Sequence, residues 1–285
     1  MGTSSLYKGP KSAALLPSDF TDDNEELSTI GGLESEEETP DTDSTVGQEQ
    51  NEDEGQSNSN ENQTSTATSG FQSAKRNFTS SFGGSTTKVK TAIRSYVKAL
   101  GGHRQATQQA KTARKVTGGI YYLLSGSSET VKKKFEEAGI PVDGRPIKDV
   151  LSDICLYLAP APNSIEDALV TDSLMDTMSE LAETLDATED FFEVINKEFQ
   201  QQFLSAFVKA YIFNKIIRDC SYGVLKKCDS AKEIRDGEKQ IKDIVDAIVD
   251  YVLPKCMVEG TTPKEISKAV EGMYDACYQE AERIK

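Results

Sequence analysis

From Val89 onward, apolar residues recur at the three- and four-residue steps of an α-helix. Val89, Ala92, Ile93, Tyr96, Val97 and Leu100 share one helix face, and Gly101-Gly102 ends it. A second helix is predicted from about Arg104, with Gly118-Gly119 marking either a break or a close helix contact before the apolar Ile120–Leu124. Ser127 or Ser128 is placed to cap a short helix reaching Ala138, stopped by Gly139 and Pro141. Pro146 opens another that runs to about Leu158, ahead of Pro160 and Pro162.

Three longer helices follow. Asn163 with Glu166 three residues later resembles a capping box, and Ile165, Leu169, Met175, Met178, Leu181, Ala182 and Leu185 supply the expected buried stripe. Thr188 is expected to cap a long helix through Phe192, Ile195, Phe199, Phe203, Phe207, Tyr211 and Ile217. Its added Leu204, Val208 and Ile212 widen the apolar face enough to make it the central helix. Ile241, Ile244, Val245, Ile248, Val249, Val252 and Leu253 form a run of 3.6-residue period closed by Pro254. Thr262-Pro263-Lys264-Glu265 combines N-cap, proline at N1 and glutamate at N3, starting a last helix through Ile266, Val270, Met273, Tyr274 and Cys277. No strand pair with a hairpin signal occurs, so the expected fold is all-α, a helical bundle of about seven helices behind a long disordered N-terminal tail.

That tail changes the picture of charge. The chain has 285 residues and a formal net charge of −15, and 16 acidic residues with no Lys or Arg lie between Asp19 and Glu61. Residues 18–74 are rich in Ser, Thr, Asn, Gln, Glu and Asp with few aliphatics, too polar to offset the entropy of ordering, and read as an acidic disordered tether. Residues 75–128 then carry ten cations (Lys75, Arg76, Lys88, Lys90, Arg94, Lys98, Arg104, Lys111, Arg114, Lys115) and no acid. The expected organisation is an N-terminal recognition peptide over 1–17, the tether over 18–74, a basic helical region over 75–128 and a helical core over 129–285, with 75–285 as one domain.

The candidate chemistry is sparse. One histidine, His103, and five widely spaced cysteines give neither a zinc pattern nor a Cys/His set, so no metal, cofactor or catalytic residue is expected. Asp172, Asp176, Glu180 and Glu183 fit a solvated helix face better than an acid–base pair. Gly83-Gly84-Ser85-Thr86-Thr87-Lys88 lacks the G-K-[ST] ending of a phosphate loop. Lys209, Asn214 and Lys215 interrupt the longest apolar run, so no membrane span is expected, and the reduced thiols suit a cytoplasmic protein. Lys90, Arg94 and Lys98 form one ridge that, with His103, Arg104, Lys111, Arg114 and Lys115, is a candidate polyanion or partner contact, a solvated face being the other reading.

The first seventeen residues hold order of their own. Gly2 follows the initiator Met1, so removal of Met1 exposes an unhindered α-amine of pKa about 8. Thr3, Ser4, Tyr7, Gly9-Pro10 and Leu15-Leu16-Pro17 complete a segment suited to docking, extended, in a partner's groove. At these residues, and at Tyr96-Val97, Leu100-Gly101-Gly102 and the Arg104–Ser125 stretch, the chain resembles the QatB family, a small component of bacterial Qat antiphage defence systems. Lys8 stands where that family often has glycine, and Phe20 where an aromatic such as Trp is common.

The resemblance implies an operon with an ATPase (QatA-like), a deazaguanine-synthase-like enzyme (QatC-like) and a TatD-like nuclease (QatD-like). It implies a non-enzymatic adaptor whose Gly2 amine accepts an ATP-activated deazapurine acyl group and whose helical body binds the ATPase. The alternative is a helical nucleic-acid-binding protein that uses the basic ridge and is autoinhibited by its acidic tail.

Overall fold

Caps and glycines decide where most helices begin and end. The computed structural model of the protein describes residues 61–185, 195–221, 224, 228, 230–256 and 262–284. Among them are ten helices and no strand. They are α1 (Glu61–Ser81), α2 (Thr86–Ala99), α3 (His103–Gln109), α4 (Lys111–Leu124), α5 (Ser128–Ala138), α6 (Ile147–Leu158), α7 (Ile165–Thr184), α8 (Lys197–Cys220), α9 (Ala231–Cys256) and α10 (Pro263–Arg283). The Ser127 cap, the left-handed Gly139 at φ 71°, and the Thr262/Glu265 capping box stand where the sequence places them.

The all-α fold holds, with more helices than the expected seven. Helix α1 starts at Glu61, inside the stretch assigned to the tether, so the boundary expected at residue 74 moves back. Its composition is polar, but Phe71, Ala74, Phe78 and Phe82 lie on one stripe that packs onto α2. Phe71 meets the Tyr96 ring edge-on at 6.2 Å, and the Asn77 side-chain amide donates to Ser95 Oγ at 2.9 Å. Tertiary packing, not propensity, stabilises this helix. The stretch expected as one helix from Arg104 divides at Ala110, whose N–H is shared between the Ala106 and Thr107 carbonyls. Gly118 and Gly119 do not break the chain; both are buried inside α4, which packs on α8 and α10.

Two further corrections concern α7 and α8. The cap of α7 is Ser164, whose hydroxyl accepts from Asp167 N–H, so Glu166 is free for another task. Ile165 is 75% exposed, while Ser173 and Thr177 are buried on the core face. Their hydroxyls donate to the Leu169 and Ser173 carbonyls at 2.8 and 2.7 Å, so the small polar side chains enter the core already satisfied. Helix α8 is capped by Asn196, which accepts from Phe199 N–H at 2.8 Å; Thr188 and Phe192 lie outside the described residues.

α8 is central as expected, packing on α1, α4, α7 and α9. α10 packs on α2, α3, α4 and α9, and the buried apolar side chains from Phe78 to Ala281 form one contiguous cluster. α9 continues through Pro254 to Cys256. It passes so near the end of α1 that a Cβ on Gly237 would lie 2.4 Å from the ring of Phe82, the residue after that helix. Lys134 Nζ donates to the Ser125 carbonyl at 2.8 Å and lies over the Tyr122 ring, tying α5 to the C-terminal end of α4.

Candidate functional site

Gly2, Thr3, Ser4, Tyr7, Gly9, Pro10, Leu15, Leu16 and Pro17 lie outside the described residues. The basic residues, by contrast, can be placed one by one. Lys90, Arg94 and Lys98 follow one another at single-turn intervals on α2, with Lys98 exposed and the other two half-buried. Val89, Ala92, Ile93, Tyr96 and Val97 face the core. Among the described residues none of the three cations forms an ion pair, and neither do the exposed Lys88, Arg104, Lys111 and Lys115.

His103 and Arg114 belong elsewhere. Gly101 and Gly102, at φ 98° and 86°, turn the chain sharply into α3, where His103 is the first residue. Its ring Nδ1 lies 2.7 Å from Asp275 Oδ1, and its N–H donates to Glu282 Oε2 at 3.4 Å, both on α10. Arg114 is only 13% exposed and reaches Glu271 on α10 at 3.6 Å, with its Nε buried and unpartnered. These two side chains fasten α3 and α4 to α10. The structure thus separates the candidate set into outward cations and inward tethers.

Lys90 also borders a groove of about 480 Å³ between the first turn of α2, the middle of α9 and the end of α10. Ile244, Ala247 and Ile248 form its floor, Tyr251 stands 58% exposed at its edge, and Asp243, Glu280 and Arg283 complete the rim. Gln240 also lines it.

A charged network inside the bundle escaped the sequence reading. Lys215, 6% exposed, donates to Glu166 Oε2 at 3.1 Å, and Tyr211 donates to Glu166 Oε1. Arg218 lies 3.6 Å from the same carboxylate and 3.2 Å from Asp219, which accepts from Tyr96 at 2.7 Å. Burial above all, with Asp219 beside Tyr96 and with Tyr278 and Glu166 beside Tyr211, pushes both hydroxyls well above the usual phenol range, so both remain proton donors. The clue in the sequence was Tyr211, Lys215 and Arg218 at helical spacing within an apolar stripe.

Three of the thiols are buried and held protonated. Burial pushes the Cys155 thiol up to about 12, and burial with Asp219 nearby does the same for Cys220; buried Cys277 is raised too. Such thiols stay protonated at neutral pH and are poor nucleophiles. No described helix is long and apolar enough to cross a membrane.

The helical body and the opening residues differ in what known proteins say of them. No curated protein and no solved structure matches the chain. A family model described as "Qat anti-phage system associated protein QatB" matches residues 101–280, from the turn before α3 almost to the end of α10. That span is more than half of the chain and takes in the fastening of α3 and α4 to α10 and the Glu166–Lys215 network, though not residues 1–100. The chain belongs to the QatB family and is a component of the Qat anti-phage defence system.

Proposed function

We propose that this protein is a non-enzymatic adaptor of the Qat system. In this reading it is also the substrate of a deazaguanine-synthase-like partner, which recognises residues 2–17 and modifies Gly2. The helical body, from α1 onward, acts as one domain and binds the ATPase, with the TatD-like nuclease as a further member of the assembly. The observation that carries the reading is the pairing of a family-matched body with a small second residue at the far end of an acidic segment.

The chemistry asks little of this chain. At neutral pH on the order of a tenth of an α-amine of pKa about 8 is unprotonated and nucleophilic. It attacks the ATP-activated acyl carbon, an amide forms, the activating group leaves with its electron pair, and the nitrogen gives up one proton. The body's own side chains suit a role without catalysis: its sole histidine is held by Asp275, and three thiols are buried and protonated. The segment from 18 to 60 lets the terminus reach a partner's active site while the body stays bound, raising its local concentration.

Intact mass spectrometry after co-expression with the synthase-like partner tests this. The expected result is a deazapurine adduct on the peptide that begins at Gly2, absent in Gly2→Leu, with defence lost in the same variant. An unmodified terminus, or defence that survives Gly2→Leu, overturns it.

A second reading rests on Lys88, Lys90, Arg94, Lys98, Arg104, Lys111 and Lys115, which form no ion pair among the described residues, a charge pattern that also fits nucleic acid restrained by the acidic tail. It predicts salt-sensitive nucleic-acid binding that strengthens when residues 1–60 are removed. No binding by either form at low salt disposes of it.

A further inference from the structure

The groove beside Lys90 has two features that call for an occupant. Its floor is apolar, and its edge carries Tyr251, 58% exposed, with the Lys255 ammonium over one face of its ring. Two cations and two carboxylates stand around it without ion pairs among the described residues: Lys90, Arg283, Asp243 and Glu280.

We propose that this groove is the docking site of the chain's own N-terminal segment, with Leu15 and Leu16 seated on Ile244, Ala247 and Ile248 against the Tyr251 ring. Leu15-Leu16-Pro17 is the apolar clip nearest the body in the first seventeen residues. A residue before proline is biased to extended backbone, the form in which a peptide segment lies along a groove. Lys11 before the clip is complementary to the rim carboxylates Asp243 and Glu280, and Asp19, Asp22 and Asp23 after it are complementary to the rim cations Lys90 and Arg283.

Reach favours an occupant in cis. Gly70 sits against Ala99, at the C-terminal end of α2, whereas the groove lies at the first turn of α2. A helix rises 1.5 Å per residue, so the 21 residues of α1 put Glu61 about 30 Å from the groove. A flexible chain of 43 residues, the number from 18 to 60, has an end-to-end distance of roughly 35 Å. A linker whose natural length equals the span it must cover gives the highest effective concentration. Docking at Leu15 and Leu16 competes with a partner's hold on residues 15–17 but leaves Gly2 beyond the groove, so the inference does not depend on Gly2 being modified.

The test uses the full chain with Leu16 replaced by the photo-reactive residue p-benzoylphenylalanine, irradiated at micromolar concentration and mapped by mass spectrometry. The expected product has the mass of one chain and joins position 16 to residues 244–251. Ala247→Arg, which fills the groove from an exposed helix position, reduces its yield at least about fivefold, as does Tyr251→Ala, which removes the exposed ring. A cross-link that maps elsewhere, or one that both variants leave intact, overturns the proposal. So does a product of two-chain mass, which assigns the groove to a second copy. The adduct at Gly2 and the cross-link at position 16 are separate readouts, so failure of one is distinguishable from failure of the other.

Discussion

Replacing Glu166 by alanine removes the carboxylate on which Lys215, Tyr211 and Arg218 converge. Lys215 is 6% exposed and Glu166 20%, so solvent screens their contact little. What remains is a buried ammonium 6.0 Å from the Tyr211 ring and a buried phenol without its acceptor. Breaking a buried pair from one side costs about 3–5 kcal/mol, because the surviving charge stays desolvated. For a helical body of this size that corresponds to a fall in Tm on the order of 10 °C.

The double variant Glu166→Leu/Lys215→Met takes away both charges and keeps the volume, and is expected to recover most of the loss, ending within about 1–2 kcal/mol of the parent. Urea unfolding followed by circular dichroism at pH 7 measures all the variants, with constant m-values as the check on two-state behaviour. A Glu166→Ala cost below about 1 kcal/mol would place the pair energetically at the surface and refute the argument. A double variant no better than the single would refute it equally.

Two other outcomes follow from local geometry. Gly237→Ala gains helix propensity of about 1 kcal/mol but drives a methyl to 2.4 Å from the Phe82 ring, so a net loss of roughly 1–2 kcal/mol in urea unfolding is expected, and a more stable variant would count against the Phe82–α9 contact. Asp246 has its Oδ1 buried without a partner, and burial above all, opposed by Lys209 and Lys242, holds its carboxyl above the usual range. The folded state then binds its proton more tightly than the unfolded state, so this group's contribution to stability falls as pH rises through the folded pKa. Asp246→Asn should therefore raise the unfolding midpoint at pH 7 and do so less below pH 4; a gain that does not change with pH contradicts the assignment.

Much of the architecture was legible along the chain. Strong caps at Ser127 and Thr262, breakers at Gly101-Gly102 and Gly139, and long periodic runs such as Ile241–Leu253 act over a few residues, so local chemistry suffices. α1 was not legible, since its polar sequence becomes helical only against α2. Nor was the cap of α7, where Asn163 and Ser164 both qualify and only the chain path selects the serine. The basic residues were visible as a set, but nothing along the sequence separates Arg114 and His103, turned toward α10, from Arg104, Lys111 and Lys115, turned to solvent.

By itself the sequence determined the helical class, the segregation of acidic tail from basic stretch, and the Gly2-led opening segment, all of which depend on composition and short-range spacing. Only the tertiary structure decided which charges are spent inside the bundle. Lys215 and Glu166 lie far apart in sequence and look like ordinary polar interruptions of two apolar stripes. They become a buried pair because α7 and α8 pack side by side. The groove beside Lys90 has the same origin, since its walls come from α2, α9 and α10, and no local rule couples residues so distant along the chain.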